Sequence, residues 1–372
     1  MSITTGIPLS YPLPGTWVTI SSAGGTSTQD YTVVIIETSA TGNTNTPTLA
    51  TTVDSIASTY GATSDVTLAY TRYRAVDAIS TVYVVNAASN AAADITAALT
   101  SLGDIPANLI ISPFNTSDAV TAFNTFFTQR WAYNDGLDGI HVTAASDTLT
   151  NLVALGAQVN SPYSSITAFP TGGTDTIAEL AAAVGAVVAT KASADPALPI
   201  QGITLDVSAV PQVNTFSKAD RTAIFNAGLG ITRQDTSGNV YLERPRMTYQ
   251  TNAAGTADDS YQDIEVLNIL AYLRTDIQSY LDSMFFGANS KKFVDDDTQI
   301  YPGSNAVNPS TIKGTIVSRV TEWGNDLYIQ DVDTTVKSIV VEIQSPGIVA
   351  VYLPVTVAGV LRQLNVALQF SR

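Results

Sequence analysis

The sequence predicts a two-part α/β plus α+β protein: an α/β sheet domain, an α+β domain, and an extended β-arm at each end. Three observations carry this. Short apolar runs alternate with amphipathic helical stretches up to about residue 200, as in a parallel sheet covered by helices. A proline-rich break at Ala194-Asp-Pro-Ala-Leu-Pro199 is followed by a less regular pattern. Period-two apolar patterns, the mark of a strand, stand at both ends of the chain. The expected divisions are an N-terminal arm over 1–21, an α/β domain over 22–200, an α+β domain over 201–358 and a terminal strand over 359–372.

Composition narrows the classes. The chain has 372 residues, of which 45% are hydrophobic and 13% charged. A sizeable core is therefore expected on a weakly charged surface. Asp and Glu number 32 against 17 Lys and Arg, a net charge of −15, which argues against a basic nucleic-acid-binding surface. The absence of cysteine rules out disulfides and thiolate metal sites. The opening M-S-I-T-T-G lacks the pattern of a signal peptide. No apolar run reaches a membrane span, and Ala181–Thr190, the longest, reads as a buried helix with no direct membrane insertion expected.

In chain order, prolines in I-P-L-S-Y-P-L-P-G keep residues 1–16 extended, and Trp17, Val18 and Ile20 form the apolar part of a first strand. Tyr31–Glu37 reads as a buried strand. Thr46-Pro47 is expected to open a helix with Leu49, Val53, Ile56 and Tyr60 on one face, closed by Gly61. Strands are expected at Thr81–Val85, Asn108–Ser112, Gly139–Thr143 and Ser165–Phe169. Helices are expected at Asn90–Leu102, Ser117–Trp131, Asp147–Leu155 and Thr176–Lys191. In the second part Ser217 caps a helix ending at Gly228, and Val240–Glu243 is a strand. Ser260 opens a long helix striped by Ile264, Leu267, Leu270, Ile277 and Leu281. Pro309 opens another with Ile312, Ile316, Val320 and Trp323 on one face. Val336–Ile343 and Ile348–Val355 are strands about a Pro346-Gly347 turn. At the end, Leu364, Val366, Leu368 and Phe370 share one face of a strand with no turn after it, so its backbone groups need a partner.

Enzyme-like features are weak. His141 is the sole histidine, no G-x-S-x-G elbow accompanies it, and a packed histidine is expected. With one His and no Cys, zinc has no ligand set. Asp295-Asp-Asp297 lacks EF-hand spacing and reads as a solvated loop. Gly172-Gly173 lacks the companions of a phosphate-binding loop and reads as a tight turn. Phe123, Phe126, Phe127 and Trp131 stand at helical spacing and read as core. No catalytic residue, metal or cofactor is expected.

Residues from about 202 to 345 resemble the contractile-tail sheath family of bacteriophages, near its Mu-like branch. The resemblance rests on the ordered segments Phe216–Gly228, Gly238–Arg244, Thr248–Asn252 with Gly255, Asp258 and Tyr261, and Ile269–Arg274. It implies a non-enzymatic structural subunit of the virion tail, assembled in the host cytoplasm. Such subunits stack as hexameric rings, in a helical stack with other copies, around a tail tube. They meet baseplate and tail terminator proteins, and contract to drive the tube through the host envelope. The family links neighbours by terminal strands that join an adjacent subunit's sheet. Carried onto this chain, the arm strands are Trp17, Val18 and Ile20, and Leu364, Val366, Leu368 and Phe370. The receiving sheet is Val340, Val341, Ile343, Ile348, Val349 and Val351. The hinges are Gly15 and Gly359, and Lys313, Arg319 and Glu322 face the tube. The alternatives are the sheath of a non-phage injection machine, a surface-layer or fibre subunit, and an enzyme with a doubly wound domain.

Overall fold

The computed structural model describes residues 31–132, 135–345 and 347–369. Among them a nine-stranded sheet forms the centre, ordered β2-β3-β1-β4-β5-β6-β8-β9-β7. Its first members are β1 (Thr32–Thr38), β2 (Thr48–Leu49), β3 (Thr81–Ala87), β4 (Leu109–Ile111), β5 (Ile140–Ser146) and β6 (Ser164–Phe169). Five of these, all but β2, are parallel. Between them run α1 (Val53–Tyr60), α2 (Asp65–Arg74), α3 (Ala92–Thr100), α4 (Ser117–Arg130) and α5 (Leu149–Gly156), and α6 (Ile177–Ala194) follows β6. Val33 and Ile35 enter one core with α1, α2 and α6, whereas Val34 and Ile36 enter another with α3 and α4. A strand buried on both faces must be apolar at every position, which is why Val33–Ile36 shows no alternation.

The sheet does not stop at residue 200. β7 (Ile203–Leu205), β8 (Gly230–Gln234) and β9 (Val240–Arg244) complete it, with β8 parallel to β6 and β9 antiparallel to both its neighbours. Helix α7 (Lys218–Asn226) packs with α5 below β6 and β8. The proline-rich break is thus a turn at the edge of one sheet, and strand pairing carries the sheet across it.

Some expectations are corrected. Thr46-Pro47 does not open a helix. Thr48–Leu49 pairs antiparallel with β3, and the helix starts at Thr52, whose hydroxyl accepts from Ser55 N in a capping box. Leu49 is accordingly exposed, not on a helical face. Helix α2, capped by Ser64, was not anticipated. Helix α6 matches the helix expected at Thr176–Lys191, running on to Ala194 with the apolar run Ala181–Thr190 inside it. Its 18 residues are enough, by length and composition, to cross a membrane, yet two-thirds of them are buried between the sheet and α2. Gly185 explains the close fit, since a Cβ there would stand 2.4 Å from Ile111 Cδ1.

The rest of the chain builds a second core around α8 (Ile264–Phe285). Around it lie β10 (Lys292–Phe293), β11 (Ala306–Val307), α9 (Pro309–Asn325), β12 (Ile329–Gln330), α10 (Val332–Ser338), β13 (Val340–Ser345), β14 (Ile348–Tyr352) and β15 (Thr356–Val357). Ile269, Leu273, Ile316, Val320, Trp323, Ile329 and Ile339 are its buried members. The long helix begins at Ile264 rather than Ser260, and α10 takes Val336, which was expected in a strand.

Candidate functional site

The arm residues are the first question. Trp17, Val18, Ile20, Gly15 and Phe370 lie outside the described residues. The described part of the C-terminal segment follows β15, which pairs antiparallel with β12. Ala358 N donates to Tyr328 O at 3.0 Å. The chain is then held at its next contacts. Gln201 Nε2 donates to Leu361 O at 3.1 Å, and Arg362 reaches Gln201 Oε1 at 3.1 Å, Asp263 Oδ1 at 3.0 Å and Glu265 Oε2 at 2.8 Å. Beyond Arg362 the contacts change. Leu364, Val366 and Leu368 are 78%, 77% and 92% exposed. Among the described residues, 358–369 belong to no strand. A row of alternating apolar side chains therefore lies exposed, and among the described residues its backbone joins no ladder.

The expected receiving sheet is a hairpin, with Val340↔Tyr352, Val341↔Val351, Glu342↔Ala350 and Ile343↔Val349 opposite one another. It is a separate two-stranded sheet, so among the described residues each strand pairs along one side only. Val341 packs on the second core. Val340, Ile343, Ile348 and Val351 are exposed, Val349 is half-buried, and Tyr352 extends the exposed set. Gly347 closes the turn with φ +80°, a conformation few other residues adopt. Two open edges beside exposed Val and Ile form a surface on which an extended strand can add.

The helix expected to face the tube, α9, is capped by Asn308, whose Oδ1 accepts from Thr311 N at 2.9 Å, and carries Pro309 at its start. Its apolar stripe is buried in the second core as the periodicity implies. Arg319 is drawn inward. It pairs with Asp276 of α8, with Nε 2.6 Å from Oδ2, and with Glu322, while Trp323 Nε1 donates to the same Asp276 at 2.7 Å. These hydrogen bonds, to Asp276 first, raise the Arg319 pKa above its usual value. Arg319 and Glu322 thus satisfy each other within the subunit; Lys313 is half-buried on the same helix.

A strut joins the two cores. Arg274 of α8 donates to Trp131 O at 2.8 Å, Ala132 O at 2.7 Å and Asp138 Oδ1 at 2.8 Å. Burial pushes Asp138 up to about 6 against the opposing pull of Arg274. Sequence reading missed Asp276 and Arg362, and met Arg274 only as the end of the Ile269–Arg274 segment, without its partners. Their only signal was the rarity of charge in the chain, which left no hint of partner.

The enzyme-like candidates are absorbed by packing. His141 is fully buried, stacked on Phe123 with centroids 3.6 Å apart. Its ring nitrogens meet Ser112 Oγ at 2.8 Å and Ser164 Oγ at 3.3 Å. Burial lowers its pKa to about 3, so it stays neutral. Phe123 and Phe127 are core, and Trp131 donates to Gly139 O at 2.8 Å. Asp295–Asp297 are exposed, with Asp296 accepting from Ser310 N at 2.9 Å in the first turn of α9. Gly172 turns the chain with φ +98°. Among the described residues no acidic or histidine cluster is arranged to hold a metal.

Comparison with known proteins gives this geometry a context. Residues 88–248 match the family model of the phage tail sheath protein central domain. That stretch overlaps the resemblance read from sequence only over 202–248, so most of the recognisable part lies in the α/β half. Over 250 residues the chain is 27% identical to a Mu-like prophage tail sheath protein of Haemophilus influenzae, an alignment covering 67% of the chain and 50% of the relative. The chain thus spans about half the length of the curated relative it matches. Among solved structures, a chain of the anti-feeding prophage baseplate superposes with a TM-score of 0.66 at 10% identity, covering 97% of this chain and 99% of that one. A sheath tail protein of Desulfitobacterium hafniense gives 0.59 at 10% identity, over 88% and 93%. The contracted anti-feeding prophage sheath gives 0.59 at 12% identity, over 96% and 99%. At these identities the likeness is one of fold. Residues 88–248 thus match the phage tail sheath protein central domain, the chain is similar over 250 residues to a Mu-like prophage tail sheath protein, and its mixed α/β fold is that of solved sheath proteins.

Proposed function

We propose that this chain is the structural subunit of a contractile tail sheath and has no catalytic role. Its copies form hexameric rings stacked helically around a tail tube, bounded by baseplate and tail terminator proteins, in a virion tail assembled in the host cytoplasm. The observation that carries the reading is the pairing of two unfinished surfaces on one subunit. One is an exposed apolar terminal segment (Leu364, Val366, Leu368) that joins no ladder among the described residues. The other is a two-stranded sheet with open edges (β13 and β14). One copy's segment adds to the next copy's sheet, a heterologous contact that repeats rather than closing on itself. Trp17, Val18 and Ile20 are proposed to do the same at the other end, with Gly15 as a hinge, and Phe370 to complete the C-terminal strand.

Contraction follows from two packings of the same subunits. The links hold neighbours together while the remaining interfaces exchange for a set of lower free energy, so no nucleotide is consumed. The tube is held before firing through α9, with Lys313 the charge least committed to its own subunit. Arg319 and Glu322 join that contact only by exchanging partners with Asp276. The test is negative-stain electron microscopy of the concentrated chain with and without its tail tube protein. Hollow tubes or stacked rings support the reading. Small uniform particles under both conditions overturn it and reopen the doubly wound domain as an enzyme.

A further inference from the structure

The terminal segment does not leave the body at the glycine. Ala358 N is bonded to Tyr328 O on one side of Gly359, and Leu361 O and the Arg362 side chain are bonded to the body on the other. Gly359 has a φ outside the left-handed region, and a methyl group there would meet no atom within 4 Å. Nothing in this conformation requires glycine. The exposed run starts at Gln363, and Leu361, though bonded through its carbonyl, has its side chain 72% exposed.

Among the described residues Arg362 is the last with side-chain partners in the body, and they come from separate elements. Glu265, 1% exposed, lies in the first turn of α8, and its other oxygen accepts from Ile200 N at 2.8 Å just before β7. Asp263 precedes α8 and also takes Arg244 Nη2, at the end of β9, at 2.9 Å. Gln201 clasps the root twice, donating to Leu361 O and accepting from Arg362. The guanidinium thus ties the segment to the sheet edge and to the start of the long helix at one point. A planar, permanently charged fork suits this; a lysine would offer only a compact point charge with a shorter spread of donors.

We infer that Arg362 is a positioning residue that fixes the root of the C-terminal arm, so that the arm moves about the Arg362–Gln363 bond and tension on it enters the body through Glu265 and Asp263. The inference rests on the sheath reading only for its consequence in assembly. A fixed root leaves the seven described residues 363–369 to search for a neighbour from one origin, which raises their effective concentration at the neighbouring sheet. The same pin passes a neighbour's pull to α8, the helix shared by both cores.

The chain has no cysteine, so single cysteines can be spin-labelled without background. In the dilute full-length chain, a label at Leu361→Cys should be slow and one at Asn365→Cys fast, differing several-fold in rotational correlation time. Adding Arg362→Gln should make the first as mobile as the second. Arg362→Lys should restore part of the difference. Because Arg362→Gln leaves Glu265 buried without its cation, Arg362→Gln/Glu265→Gln serves as the folded control and should free the root equally. Gly359→Ala should change neither label. Equal mobility at both positions in the parent background, or a root that stays slow without Arg362, overturns the inference. These readings need no polymer. Failure of the sheath reading appears separately, as the absence of tubes from the unaltered chain.

Discussion

The nine-stranded body and the hairpin-and-arm region treat the same kinds of residue in opposite ways. In the body, Val33–Ile36 of β1 are at most 1% exposed, covered by helices on both faces. In the arm region, Val340, Ile348 and Val351 are 53%, 57% and 40% exposed, and Leu368 is 92% exposed. Both sets are β-branched or aliphatic residues in extended segments. The difference is that the body closes its hydrogen bonding and apolar surface within one chain, whereas the arm region leaves both open. Apolar residues in the first set contribute to folding, and those in the second are left on the surface, where the proposed assembly would cover them.

This contrast can be broken in several ways. Removal of Gln363–Arg372 should show the largest effect. Assembly should be lost altogether in electron micrographs while the thermal transition of the monomer barely moves. Tubes of normal appearance from the truncated chain would remove the distinction between the regions. Next is Phe127→Ala in the body, expected to cost about 3–5 kcal/mol in urea unfolding because a fully buried ring leaves a cavity. Leu368→Ala should change monomer stability by no more than about 0.5 kcal/mol, yet weaken assembly. Similar unfolding losses from both substitutions would mean that the terminal segment packs on its own subunit.

A smaller effect separates the regions by pH. Burial pushes Glu37, at the end of β1, up to about 8, with the Thr38 N–H opposing and Asp65 adding to the rise. The native state therefore holds a proton that the unfolded chain releases near 4.5. Stability from this group is full below about 4.5 and is lost as pH rises through about 8. Glu37→Gln should flatten that fall in pH-dependent melts, leaving the parent and variant alike at low pH. A parallel decline in both would place the titrating group elsewhere. The smallest change is expected from Val351→Thr on the open hairpin, nearly neutral for the monomer and slightly unfavourable for tube yield.

Some of this was legible in the residues. The buried strands Tyr31–Glu37 and Ser165–Phe169 and the helices starting at Ser117 and Ser217 announce themselves by apolar runs and caps, which are local signals. The alternation of Leu364, Val366 and Leu368 reads as a strand, whereas the described residues 358–369 are extended outside any strand, because a ladder needs a partner that period alone does not supply. Thr48–Leu49 was misread because proline and a nearby amphipathic stripe favour helix, while pairing with β3 lies outside any local window. The arrival of β7, β8 and β9 in the first sheet was hidden for the same reason: edge pairing overrode the change in composition at residue 200.

By itself the sequence determined which segments are apolar enough to be buried, where most helices begin, that no disulfide can form, and that the terminal segment alternates apolar and polar residues. These follow from composition and from periods of two and 3.6 residues, which are properties of neighbours along the chain. The tertiary structure alone decided the strand order, the enclosure of α6, and the two cationic anchors: Arg274 on the 131–138 loop, and Arg362 on Gln201, Asp263 and Glu265. An ion pair between residues 97 positions apart, as for Arg362 and Glu265, has no periodic signature. Its partner is set by where the fold carries each charge, and by the cost of burying either one alone.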